Sequence, residues 1–186
     1  MANGKRTAAV AVAAAVILAA SHASMAAESS IAPLDLPADH GHVRSSSPAI
    51  NAAFHEGVEG SATFRQLVAT INASDSYVFV NEGECGHGVR ACFLSVRSSG
   101  SHRFMFVLID PRKRDAELMG SIGHELRHTI EVIGNPSVRN DADKYFFYDH
   151  IGRKSVGGTR ETSAAMDAGN AVRSEINKFN RLAKSE

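Results

Sequence analysis

Three things are scarce in this chain of 186 residues, and each scarcity closes off a class of function. Basic charge forms no long block: 20 Lys and Arg balance 20 Asp and Glu. Such a chain offers no electrostatic footprint for nucleic acid or an anionic membrane surface, so neither is expected as a partner. Long apolar runs are missing as well. The one uninterrupted stretch, Ala8 to Ala20, falls short of the roughly 20 residues an ordinary membrane-spanning helix needs. Cysteine is confined to Cys85 and Cys92. Their spacing is not Cys-x-x-Cys and no further thiol exists, which argues against a thiolate metal site or a redox pair.

That short apolar run carries information of its own. Lys5 and Arg6 precede it, and Ser24-Met25-Ala26 follows with small residues at the two positions a signal peptidase reads. Residues 1–26 therefore read as an export signal, cut after Ala26 or alternatively after Ala23. The expected location is secreted or periplasmic, with no stable membrane association once the signal is removed. The segment holds two of the 20 basic residues and none of the 20 acidic ones, leaving 18 against 20 and a net charge of −2. In an oxidising compartment a lone cysteine pair is most simply a disulfide, here Cys85–Cys92. Residues 27–48 are rich in Ala, Ser, Pro and Asp without an apolar period, and read as a flexible linker in which His40 and His42 are a solvated pair. Residues 49–186 are long enough for one domain with one core.

Within that domain the patterns mix helix and strand. Helices are predicted over 49–56 and 61–72, the second with Phe64, Leu67, Val68 and Ile71 on one face and Ser61 as its cap. Strands are predicted over 77–80, 92–96 and 104–109, rich in β-branched and aromatic residues. Their short connections favour an antiparallel meander. A helix follows over 114–133, with Leu118, Ile122, Leu126, Ile130 and Ile133 as its apolar stripe and Gly134 and Pro136 as its stop. An aromatic segment over 141–151, a loop at Gly157-Gly158 and a last helix over 160–183 complete an α+β domain: a small antiparallel sheet packed on the 114–133 helix and the C-terminal helix.

The chemistry concentrates on the 114–133 helix, in Gly123-His124-Glu125-Leu126-Arg127-His128. Residues four apart on a helix share a face one turn apart, so both imidazoles can reach one cation. Neutral imidazole suits Zn2+, which makes water a nucleophile near neutral pH, and Glu125 is placed to hold that water rather than the ion. Gly120 and Gly123 beside the histidines leave room for an ion and a substrate backbone. Two carboxylates compete to be the third ligand. Glu131, one turn past His128, points along the helix and suits pairing with Arg127 or bracing His128. Glu161 begins the apolar stripe of the last helix, where a carboxylate is costly unless paired or ligating. The alternative for Glu161 is a first-turn acid that favours the helix N-terminus.

The helix resembles the active-site helix of zincin metallopeptidases. Glu161-Thr162-Ser163-Ala164-Ala165 resembles the second motif of the gluzincin group, in which a Glu is the third zinc ligand. The strands-then-helix order is similar to a minimal zincin core. The chain is also similar to small exported bacterial proteins of unassigned function that carry a Gly-His-Glu-Leu-x-His helix and a later Glu-Thr-x-Ala-Ala segment. The resemblance implies zinc held by His124, His128 and Glu161, Glu125 as general base, and a peptide or protein substrate. Tyr148 or His150 would stabilise the oxyanion. The pattern departs from the group at Ala165, where Asp is frequent, so His124 lacks that orienting partner; Glu131 and Gly134 exclude the metzincin pattern. With 25 positions after Glu161, no large second lobe is expected. A non-catalytic exported zinc-binding or interaction protein of the same fold is the alternative function.

Overall fold

The computed structural model describes residues 41–86, 88–154 and 160–185. The expected signal, the first part of the expected linker, His87 and the Gly157-Gly158 loop lie outside the described residues. The elements run β1 Val43–Arg44, α1 Pro48–Gly60, α2 Ala62–Asn72, β2 Ser76–Glu82, β3 Ala91–Ser99 and β4 His102–Ile109. They continue with α3 Ala116–Ile133, α4 Asp141–Ile151, β5 Arg153–Lys154, β6 Arg160–Glu161 and α5 Ser163–Leu182. The class is α+β, with a four-stranded sheet packed on α3 and α5.

The sheet is mixed, which corrects the expected antiparallel meander. Its order is β1-β2-β4-β3: β4 pairs antiparallel with β3 but parallel with β2. The physical reason lies in β4. Phe104-Met105-Phe106-Val107-Leu108-Ile109 is apolar on both faces, and such a run belongs in the middle of a sheet. The parallel register also aligns Tyr77 with Phe104 and Phe79 with Phe106, and the rings stack with interplanar angles of 12° and 19°. Short connections alone could not reveal that β3 steps outside its neighbour in sequence. A second correction concerns the linker. Val43 and Arg44 pair with Val78 and Phe79, and the His42 ring packs tilted against Tyr77, with centroids 4.6 Å apart. Residues 41–48 therefore belong to the folded unit.

On its other face the sheet buries Val78, Val80, Val96, Met105, Val107 and Ile109 against Phe54, Phe64, Ile71, Leu118, Ile122 and Leu126. Each such side chain contributes roughly 1.5–3 kcal/mol by leaving water. Caps fix the helices against this core. Asp115 accepts from the Leu118 amide at 2.9 Å to start α3, and Arg90 and Lys113 hold its carboxylate. Ser61 caps α2 and donates to Glu175 of α5 at 2.6 Å, which ties the two helices together. Arg103 of β4, only 4 % exposed, donates to the carbonyls of Val132, Ile133 and Asn135 and so closes the C-terminal end of α3.

Glycine sets the distance between α3 and α5. A Cβ on Gly120 would lie 2.9 Å from the Gly169 carbonyl, and one on Gly123 would lie 2.7 Å from Val172. Gly123 thus serves helix packing rather than opening a cavity, contrary to expectation. Close approach of α5 is what carries the segment just before it to the histidine face. Cys85 and Cys92 are joined, with 5.9 Å between their Cα atoms. The disulfide anchors the Gly88–Ala91 stretch, which lies beside the same face.

Candidate metal centre

His124 and His128 lie one turn apart on α3, as their spacing requires, with Nε2 atoms 3.1 Å apart. Glu161 arrives differently from the expectation. It is not in the last helix but in β6, immediately before Thr162, the extended N-cap of α5. Leaving the helix early frees its side chain to cross to α3. Glu161 Oε2 lies 2.7 Å from His124 Nε2 and 3.4 Å from His128 Nε2. The three atoms form a small triangle capable of holding a metal ion.

The donor set tests whether a cation fits. A tetrahedral zinc ion with bonds near 2.0–2.1 Å has ligand atoms about 3.3 Å apart; the 3.1 and 3.4 Å edges match this, and the 2.7 Å edge between His124 and Glu161 is a hydrogen-bond distance that an ion would widen. The inner side of each imidazole is fixed by its outer side. His128 Nδ1 faces Glu131 Oε2 at 2.9 Å; a carboxylate only accepts, so Nδ1 carries a proton and donates. In the neutral ring Nε2 then presents a lone pair to the triangle. Burial resists charge on His128, but Glu131 and Glu161 outweigh it and hold the ion-free imidazolium up to about 9. His124 and His128 likewise hold the Glu161 carboxyl well below its usual range. Converging donors that must borrow protons to coexist are what a divalent cation would replace.

Glu131 also accepts from Thr162 Oγ1 at 2.6 Å. One carboxylate thereby braces a histidine of α3 and the residue next to Glu161, and its contact with Arg127 is looser at 3.9 Å. Thr162 adds the α5 cap, accepting from the Ala165 amide at 3.1 Å. His124 Nδ1 has no hydrogen-bond partner among the described residues, and Ala165 is fully buried in α5. The bridge through Thr162 escaped the sequence reading. Its one signal was a Ser/Thr cap placed next to a candidate ligand.

Glu125 stands beside the triangle. Its Oε2 accepts from the Phe93 amide of β3 at 2.8 Å, where a bulge between Phe93 and Ser95 turns the edge strand. Burial raises its carboxyl above the usual range, against the opposing pull of the histidines. Two cavities meet here. One, of about 530 Å³, runs between the Gly88–Ala91 stretch, α3 and the start of α5; the other, of about 200 Å³, lies between β3 and α4. His124, Glu125 and Glu161 line the first, and Glu125, His128 and Glu161 the second.

The chain matches no family model, no curated protein and no solved structure. The site is therefore read from its own atoms.

Neither expected oxyanion residue presents a free group to the cavities. Tyr148 donates its hydroxyl to the His128 carbonyl at 2.8 Å, with its ring edge-on to the imidazole at 5.0 Å. Burial pushes its hydroxyl pKa upward, followed by the effect of Glu131. It braces the helix. His150 is exposed on α4 and lines neither cavity. The structure brings forward Lys144 instead, which lines the smaller cavity and which no sequence pattern marked.

Proposed function

We propose that this protein is an exported zinc-dependent peptidase, and the observation that carries the reading is Glu125 standing at the junction of both cavities beside the His124–His128–Glu161 triangle. The resemblance of the two motifs to the gluzincin group supports it, as does a bracing carboxylate at Glu131. Zinc, when bound, would supply Lewis acidity and a water acidic enough to attack at neutral pH. His124, His128 and Glu161 would hold the ion. Glu125 would take the proton of the attacking water and deliver it to the departing amine nitrogen.

A peptide is the substrate class that fits the cleft walls. β3 is the edge of its sheet, and the amide and carbonyl of one strand residue point to the same side. Phe93 directs its amide to Glu125 and its carbonyl to Lys144, away from β4. By alternation Ala91, two residues earlier, also points outward, and it borders both cavities. An extended backbone can pair there. Export rests on the sequence signal over 1–26. The Cys85–Cys92 disulfide agrees with it, and no helix among the described residues is long and apolar enough to cross a membrane.

One observation favours the non-catalytic alternative: an oxygen of Glu125 is engaged by the Phe93 amide. Glu125→Gln separates the two readings. A positioned base contributes about a hundred- to ten-thousandfold in rate. The variant should keep zinc, measured by metal analysis, while cleavage of a peptide library falls by that factor and a chelator abolishes the wild-type rate. Wild-type protein that binds zinc and cleaves nothing in the library supports the binding-protein reading.

A further inference from the structure

Lys144 lines the cavity between β3 and α4 with no salt-bridge partner among the described residues. Lys144 projects from α4 beneath the bulge of β3. Its Nζ donates to the carbonyls of Phe93 at 3.0 Å and Leu94 at 2.6 Å and lies 4.7 Å from the centre of the Phe93 ring. Among the described residues no carboxylate comes within ion-pair distance of it. Asp141, one turn earlier on the same helix, is committed elsewhere: it accepts from the Val96 amide at 2.8 Å and pairs with Arg97. The other cation on the cavity wall, Arg160, is paired with Asp149.

Two carbonyl bonds do not require a full charge, and a half-buried ammonium without a counter-ion is costly. A third N–H remains on Nζ, beside a cavity of about 200 Å³ that also touches Glu125 and His128. Ala91, Phe93 and the Tyr148 ring give that cavity apolar walls. With Glu125, His128, Arg160 and Glu161 on the rest of its wall, these apolar sides and the Lys144 ammonium, which no carboxylate among the described residues pairs with, suit a short aliphatic or aromatic group that ends in an anion.

We propose that Lys144 is a specificity-determining residue that pairs with a carboxylate of the substrate, on a residue adjoining the hydrolysed bond. This rests on the peptidase reading for its substrate class, whereas the carboxylate site itself does not. The carboxylate is either an Asp or Glu side chain or the terminus of the peptide chain.

Two measurements test it. The first is calorimetric titration of glutarate and of its neutral analogue glutaramide into zinc-free wild type, Lys144→Met and Lys144→Arg. Glutarate should bind wild type and glutaramide should not. Lys144→Met should weaken glutarate by roughly ten- to a hundredfold, as expected for loss of a charge-assisted hydrogen bond, and Lys144→Arg should restore much of it. The wild-type comparison of the two probes needs no variant, so it stands even if Lys144→Met folds poorly. The second is cleavage by the zinc-loaded protein of matched peptides. One set places Glu or Gln on either side of the bond; the other has a free or amidated C-terminus next to it. The acidic member should have the lower KM at similar kcat, and Lys144→Met should erase that difference; the responding set identifies the source of the carboxylate. Equal binding of both probes, or glutarate binding indifferent to Lys144, overturns the site. Cleavage without acidic preference overturns the specificity and leaves the peptidase reading standing. No cleavage, with Lys144-dependent glutarate binding, overturns the peptidase reading and leaves the carboxylate site.

Discussion

Two buried polar clusters lie one turn apart on α3, and they are built on opposite principles. At the C-terminal end Arg103 meets three backbone carbonyls at 2.7–3.0 Å. Donors face acceptors there and the cluster is complete. At His128 the inward atoms are two imidazole nitrogens and a carboxylate oxygen, acceptors all unless protons are added. Donor–acceptor complementarity marks a group that serves the fold. Converging lone pairs mark one that could hold a cation. Burial alone does not distinguish them, since Arg103 is 4 % exposed and His128 6 %.

The contrast is sharpest in zinc affinity. Glu161→Ala should reduce it by more than a hundredfold, because one corner of the triangle is lost. Glu131→Ala should cost about ten- to a hundredfold, the usual effect of removing a group that orients a ligand. Titration against a competing chelator measures both, and the reverse ranking would break the assignment of Glu161 as ligand.

Arg103→Met supplies the complementary result. It strands the α3 carbonyls in the core and should destabilise the fold by about 2–4 kcal/mol. Zinc affinity per folded molecule should not change. Denaturant unfolding and zinc titration on the same sample check the pair, and a large affinity loss would show that the two clusters are not independent.

A smaller effect separates them by pH. In ion-free protein His128 holds its proton up to about 9, above its unfolded value of 6.5. The stabilisation is fully present below pH 6.5 and is lost as pH rises through 9, at most about 3 kcal/mol across that window. Zinc should replace this proton, so binding at pH 7.5 should release about one proton per ion. Calorimetry in buffers of different ionisation enthalpy counts it. Thermal unfolding of chelated protein between pH 6 and 9.5 should show the loss, and His128→Gln should abolish it.

What could be read from the sequence was local. The four-residue spacing of His124 and His128 on a helix with an apolar stripe is a property of that helix, and Gly134 ends it where expected, although it starts at Ala116 rather than at 114. The three main strands and the α+β class likewise follow from short-range patterning. Tertiary contact decided the rest. Strand order turned on the apolar β4 displacing β3 to the edge, a competition between segments that no segment records alone. Glu161 reached the histidines because Gly120, Gly123 and Gly169 let α5 pack close and because that helix begins only after the Thr162 cap, leaving Glu161 on extended backbone. The Glu131–Thr162 bridge and the charge of Lys144 beneath Phe93 are meetings across 31 and 51 residues of chain. Periodicity fixes which face a side chain occupies on its own element. Only packing of the elements against one another fixes what that face meets.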